Sequence, residues 1–408
     1  MQPSLDSLLL DSAQASVSFA LCCLEPYNNH LRAKSSFVDP RGEIMHWHDF
    51  GDLEGPGWAA NAVGGALLLY RWGMYRADAS LQASALALLD HVLDDGFLQP
   101  GGFIWPYFDL GRQRFCLNYT HNDAWLCPGS LAKIGAQMLE FASLLPADAR
   151  APRLRQAAAQ LAAWLDAHTP RLENGWVPRR ITLSGQAYSQ CPTGGPDAIF
   201  DHSADGLFLI ELFGEVETFR QRAVALGDAF VQSGGFWGSL NHDTYDDHEN
   251  VAYSVAFRVL NRLGRQLHRG SWRDFACQAA LPRLARFHMR EDRNGVATSG
   301  LLWMEDSWDT AYLWENAEAA QAYLESWAET ADPLHRSAAL DILRAIAGHH
   351  HGNLGFLTEG VDWNNHVSKQ HHVGGALYGD INYTEPLLNN LHLVGPTLYY
   401  LEKQQAMR

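Results

Sequence analysis

The chain is short of charge. Only 19% of its 408 residues are Asp, Glu, Lys or Arg, and 46 acidic side chains outnumber 30 basic ones, for a formal net charge of −16. Lys and Arg nowhere form a run, so the electrostatic footprint that grips a phosphate backbone or an anionic membrane surface is missing, and neither nucleic acid nor membrane is expected as a partner. Long apolar runs are missing too, since none reaches the roughly 20 residues that span a bilayer. The N-terminal apolar stretch carries Asp6 and Asp11 where a secretory leader has basic residues. The six cysteines, Cys22, Cys23, Cys116, Cys127, Cys191 and Cys277, include no C-x-x-C pair and are too few to staple this length. A disulfide scaffold is excluded and a reducing cytoplasm is the expected location. No G-x-G-x-x-G follows a strand pattern, which leaves Gly64-Gly65 and Gly374-Gly375 as close-packing or loop positions rather than phosphate cradles.

What the chain has in excess is Trp and His, 14 and 19 of them. It also repeats. Six amphipathic stretches, at about 4–24, 78–95, 150–168, 216–232, 272–290 and 333–350, have apolar residues at i, i+3, i+4 and i+7 and read as helices with one wet face. Between them lie six stretches apolar nearly all round, at about 57–72, 128–144, 203–213, 249–264, 309–327 and 386–402, which read as buried helices. The link from a buried helix to the next wet one is short. The link back is long and carries a turn signal: Gly101-Gly102-Phe103, Asn174-Gly175-Trp176, Gly234-Gly235-Phe236, Asn294-Gly295 or Leu354-Gly355-Phe356. Wet helices in an outer ring and buried ones in an inner ring would bring every long loop to one face, at the N-termini of the inner helices, where sites are built.

This sixfold alternation resembles the (α/α)6 toroid, the six-hairpin fold of many glycoside hydrolases, some polysaccharide lyases and the sugar 2-epimerases. The expected fold is therefore all-α, with six inner and six outer helices and short β-hairpins in the loops of one face, as one domain over 1–408. The resemblance covers nearly the whole chain and is architectural, so function has to be argued from the site.

Each long loop ends in a polar cluster before its inner helix: His46-Trp47-His48-Asp49, His121-Asn122-Asp123-Ala124-Trp125, Asp201-His202-Ser203-Ala204-Asp205, Asp246-Asp247-His248-Glu249-Asn250, Asp306-Ser307-Trp308-Asp309 with Trp314-Glu315, and Asp380-Ile381-Asn382-Tyr383-Thr384-Glu385. Asp, Asn and Ser are also favoured helix caps, and capping accounts for a large part of this pattern. Capping does not call for the adjoining Trp and His. Carboxylates beside flat aromatic faces suit a sugar, whose hydroxyls hydrogen-bond and whose C–H face stacks. The expected binding residues are Trp58, His121, Trp125, Arg179, His202, His248, Trp308, Trp314, Glu315, His372 and Tyr383, with Arg179-Arg180 available to an anionic uronate.

Glycosidic cleavage needs two carboxyl groups, one protonated and one ionised. Asp123 and Asp205, opening consecutive inner helices, are the expected pair, with Glu249, Asp309, Glu315 and Glu385 behind them. Tyr245-Asp246-Asp247-His248-Glu249 resembles the adjacent-Asp motif of toroidal mannan-cleaving hydrolases, without the paired aromatics that follow it there. The leading reading is a glycoside hydrolase of short oligosaccharides, with no cofactor and no metal. A sugar epimerase or isomerase using His as acid and base is the alternative, although the H-x-x-E-x-x-W signature associated with those epimerases is not present; a non-catalytic sugar-binding protein is the third. Three consecutive histidines, His349-His350-His351, on a helix would point about 100° apart and could not share an ion. Asp94-Asp95, followed by Gly96, reads as a helix C-terminal turn.

Overall fold

The computed structural model describes residues 4–45, 52–120, 123–189, 199–242, 244–367 and 371–407. After α1 (Leu5–Cys22) come the hairpin β1 (Leu24–Tyr27) and β2 (His30–Ala33), then β3 (Leu53–Glu54). Five helix pairs follow: α2 (Ala62–Arg76) and α3 (Ala79–Asp94), α4 (Pro128–Leu144) and α5 (Arg150–His168), α6 (Gly206–Glu215) and α7 (Arg220–Gln232), α8 (Asn250–Gln266) with α9 (Gly270–Phe275) and α10 (Leu281–Leu284), and α11 (Leu313–Thr330) with α12 (Pro333–Ala347). The short α13 (Asn389–His392) and α14 (Val394–Met407) close the chain. Between these lie β4 (Tyr107–Asp109), β5 (Arg114–Cys116), β6 (Thr310–Tyr312), β7 (His350–His351), β8 (Phe356–Leu357), β9 (Gly360–Asp362) and β10 (Gly379–Asp380).

The inner ring runs α2, α4, α6, α8, α11, α14 and back to α2, each packed on the next, and α1 completes the outer ring by packing on α12, α13 and α14. This is the (α/α)6 toroid. Inner helices are buried on most faces: α8 hides thirteen residues from Asn250 to Gly264 and α11 thirteen from Leu313 to Trp327. Outer helices bury one stripe, such as Leu81, Ala85, Leu88, Leu89 and Val92 of α3.

Local signals set the ends. Asp78 accepts from the Leu81 amide at 3.0 Å to cap α3, and Asp332 caps α12 ahead of Pro333. The glycine turns in the loops after the outer helices need left-handed backbone, as at Gly102 (φ +86°), where a Cβ would also sit 2.5 Å from the Gln160 carbonyl. Of these turns, Leu354-Gly355-Phe356 opens into a strand pair, β7 with β8, and Gly101-Gly102 sits in the single bridge Leu98–Ile104. The main sheets of the long-loop face are β3-β4-β5 and β10-β9-β6.

Two inner helices start later than their apolar periodicity predicts. The first begins at Ala62 rather than near 57, because Gly57 donates to the Pro106 carbonyl at 2.7 Å and Asn61 turns left-handed (φ 45°). The last begins at Val394 rather than near 386, because Asn389 and Asn390 spend their amides on the Thr358 and Ser16 carbonyls, each at 2.7 Å. The outer stretch expected at 272–290 is broken by a π-turn at Ala276–Ala280 ahead of Pro282. Proline has no N–H to give and its ring crowds the preceding turn, which a wider turn relieves.

Candidate functional site

At the N-terminal end of the inner ring, Gly57, Trp58, Tyr107, Asn118, Tyr119, Trp125, Cys127, Ser130 and His242 line a cavity. Trp58 forms part of its wall. Its ring meets Trp314 edge-on at 4.8 Å and Phe208 at 5.9 Å, and the Lys133 ammonium of α4 lies 3.8 Å from its face. Burial pulls the Lys133 pKa down to about 8, with the charges of Glu318 and Glu211 pulling back up. The cavity is tight, at about 10 Å³, so it holds one water-sized molecule and a sugar ring has to displace side chains to enter.

His242 is the titratable centre of the wall. Its Nε2 lies 2.7 Å from Ser130 Oγ and 3.9 Å from Asp205 Oδ1, its ring stacks on Tyr119 at 5.8 Å, and the Cys127 thiol hydrogen-bonds to it. Burial disfavours the imidazolium, but Cys127 and Asp205 outweigh it and push the pKa up to about 9. Asp205 in turn is 1% exposed and accepts from the Gly129 amide at 2.8 Å and from Ser130 Oγ at 3.4 Å. It therefore caps α4 from the start of α6, and a Cβ on Gly129 would strike the Asp205 carbonyl at 2.0 Å. The loop carrying His242 is pinned from behind. Arg179, 1% exposed, donates to the carbonyls of Asn241 (3.1 Å), Thr244 (2.6 Å) and His242 (3.1 Å). Arg180 donates to the same His242 carbonyl and stacks on Trp125 at 3.7 Å.

Beside this wall, three glutamates converge under the 239–249 loop. Glu249, 0% exposed, accepts from the Leu240 and Asn241 amides. Glu315 at the start of α11 accepts from Asn241 Nδ2 at 2.9 Å and Asn250 Nδ2 at 2.7 Å, and Glu305 accepts from Ser239 Oγ at 2.6 Å. Burial, then the charge of Glu249, pushes Glu305 up to about 9 and Glu315 well above its ordinary value. Glu305 is thereby held as a neutral acid near pH 7.

The expected site residues scatter. Trp58 and Trp125 line the cavity, with Trp314 behind Trp58; Asp205 and Arg179 support it. Asp123 corrects its expected position: α4 begins at Pro128, five residues later, and Asp123 is exposed, bound by Arg114 and the Leu117 amide. It does not face Asp205 across the cavity. Arg179 and Arg180 are corrected as well, their guanidinium groups being taken up by backbone carbonyls rather than open to a uronate. His202 is half-buried between Asp201 and Asp247, and exposed His248 bonds to Tyr253 Oη at 2.6 Å. Asp309 accepts from Asn364, and Trp308 stacks on His366 at 5.2 Å. His372 is buried 3.3 Å from Asp362, and Tyr383 packs on Phe37 close to buried Glu385. None of these lines the cavity. His121, like the cluster from His46 to Asp49, lies outside the described residues. The consecutive histidines lie at a helix end that turns into β7, so His349 and His351 both reach Asp380, at 2.9 and 2.5 Å, while His350 turns away to Ser12.

Sequence reasoning missed His242, Ser130, Cys127, Tyr107, Tyr119 and Glu305. The available signal for His242 was the polar run Asn241-His242-Asp243-Thr244, set between two aromatic positions, Trp237 and Tyr245.

No protein-family model matches the chain, and no curated protein matches it by sequence. Solved structures do match. A D-mannose isomerase superimposes with a TM-score of 0.65 at 13% identity, over 98% of this chain and 99% of that one. A cellobiose 2-epimerase from Spirochaeta thermophila gives 0.64 at 13% identity, over 100% and 98%. An unsaturated glucuronyl hydrolase specific for heparin gives 0.54 at 11% identity, over 98% and 98%. At such identities the likeness establishes the fold, and these neighbours carry out more than one chemistry on it.

Proposed function

We propose that the protein is a carbohydrate-active enzyme that isomerises a neutral reducing sugar, with His242 as the group that moves the proton. The observation that carries this reading is the make-up of the cavity wall: aromatic faces from Trp58, Tyr119 and Trp125 surround one imidazole, and no carboxylate is among the described residues that line it. Glycoside hydrolysis needs two carboxyl groups reaching either side of a bond. Here Asp205 stands behind His242 and caps a helix, and the buried glutamates lie under a loop. Proton transfer beside a carbonyl needs only a base of suitable pKa at hydrogen-bond distance. A single base working on one face of an enediol takes a proton from C2 and, after exchange with solvent, returns one to C1 while the O2 hydroxyl proton passes to O1, the step of an aldose–ketose isomerisation, whereas inversion at C2 takes a second base on the opposite face. Arg179 and Arg180 are committed to carbonyls, which supports a neutral substrate over a uronate.

The hydrolase expected first from the sequence stands as the second reading, and the protonated Glu305, with Glu315 shifted in the same direction, is the observation in its favour. The two separate by mass. Purified protein is incubated in deuterated water with a panel of reducing mono- and disaccharides, and the products are analysed by mass spectrometry. The expected product has the substrate's composition with one carbon-bound deuterium; addition of water with bond cleavage overturns the proposal.

A further inference from the structure

The consecutive histidines His349-His350-His351, weighed in the sequence as metal ligands, lie elsewhere. The structure brings together three residues with no motif spacing. His30 Nδ1 of β2 lies 2.9 Å from Asp95 Oδ2, and His91 Nδ1, near the end of α3, lies 2.8 Å from the same oxygen. One ligand atom from each lies within 4.8 Å of the other two. Behind His91, Glu54 Oε2 is 2.7 Å from Nε2, and edges of Tyr27 and Phe97 hold the ring in place. Asn28 donates to the other oxygen of Asp95 at 3.1 Å.

If Glu54 takes the Nε2 proton, His91 directs either a lone pair or a second proton at Asp95, and His30 faces the same oxygen. Glu54, Asp94 and Asp95 bring three negative charges, and Arg153 on Asp94 answers one of them. Two charges remain against two imidazoles. An imidazole whose far nitrogen is held by a carboxylate is the arrangement that orients a metal-ligating histidine. We infer that His30, His91 and Asp95 form a site for a divalent cation of the zinc type, with Glu54 fixing the ring of His91 from behind and water completing the set. A tetrahedral ion about 2.1 Å from each ligand sets them about 3.4 Å apart, so its entry widens each present contact by about half an ångström. Entry is open, since His30 and Asp95 keep 20% and 13% of their side-chain surface in solvent. The ion would tie the β1–β2 hairpin to α3 and, through Glu54, to the segment leading into the cavity residues Gly57 and Trp58. Its role is to hold and not to react, and it does not depend on the sugar reading.

The test uses the full chain, stripped with chelator and titrated with Zn2+ by calorimetry, with metal content by elemental analysis and Tm alongside. One equivalent bound and a Tm raised by several degrees are expected. His91 is fully buried and its loss could unfold the chain, so the variants are His30→Ala and Asp95→Asn, each checked for native circular dichroism; both are expected to lose the bound equivalent and the Tm rise. His351→Ala, which removes a histidine from the Asp380 cluster, keeps both. No stoichiometric binding to the stripped protein, meaning that protons alone hold the cluster, overturns the proposal, as does binding that survives His30→Ala and disappears in His351→Ala.

Discussion

His242 is defined by its neighbours rather than by its place in the chain. As a base it works only when neutral, and Cys127 and Asp205 hold its pKa near 9 against the opposing effect of burial. For isomerisation, kcat/KM is therefore expected to rise by about 50-fold from pH 7 to pH 9 and to level off above at about 100-fold, with close to tenfold per unit well below the pKa. Asp205→Asn removes one of the charges that stabilise the imidazolium and moves that rising limb to lower pH. A general acid in a hydrolase would give the opposite profile, falling above pH 9, so a pH–rate curve checks the assignment independently of product analysis. Of these groups, the sequence pointed to Asp205 because a polar residue before an apolar helix is visible as a pattern. That it caps α4 rather than its own helix is a tertiary fact no pattern carries. His242 lies mid-loop, and what makes it a centre, the arginines on its carbonyl and Ser130 on its ring, comes from segments about 60 and 110 residues away.

The helices themselves were legible because burial is written in residue type: an all-apolar stretch next to a half-apolar one encodes inner and outer rings. Their starts were legible where a local signal sets them, as at Pro128 and Pro333, and not where a distant contact does, as with Gly57 on Pro106 or Asn389 on Thr358. The short inner-to-outer links add an unexpected detail, since they turn through left-handed residues that are not glycine: Ala77 (φ 53°), His268 (φ 55°) and Ala331 (φ 56°). A Cβ disfavours that conformation by about 1 kcal/mol. Ala331→Gly, at the end of α11 where the left-handed cap favours glycine, is expected to stabilise the protein by roughly 0.5–1 kcal/mol. Urea unfolding measures it, and an unchanged or lowered midpoint contradicts the strain argument.

At the scale of the molecule, the upper and lower halves of the ring solve burial differently. Toward the far end, the inner helices face one another through ion pairs, Arg258 with Glu318 and Glu325, Arg262 with Glu211 and Glu215, and His392 with Glu318. At the loop end, Glu249, Glu305 and Glu315 meet in a buried cluster, where burial and the charge of Glu249 favour the protonated forms of Glu305 and Glu315. A carboxyl whose folded pKa lies above its unfolded value contributes stability that is full below the ordinary 4.5 and is lost as pH rises through the folded value, about 9 for Glu305. Tm is thus expected to fall as pH is raised from 5 to 9. Glu305→Gln, which keeps a neutral side chain of the same size at every pH, is expected to flatten that slope while leaving Tm near pH 5 almost unchanged; an equally steep slope in the variant excludes Glu305 as its origin.

The ring also has a seam. Its first helix, α1, hides Leu9, Ala13, Val17 and Ala20 against α12, α13 and α14, which lie more than 300 residues later in the chain, and Gln404 Nε2 comes within 3.5 Å of Asp6 Oδ1. During synthesis, that apolar stripe waits for α12, α13 and α14 before it can pack against them. Joining the ends covalently and reopening the chain at a glycine turn elsewhere on the ring would move the seam, so the order in which the hairpins zip together is set by where the chain is cut and not by the architecture.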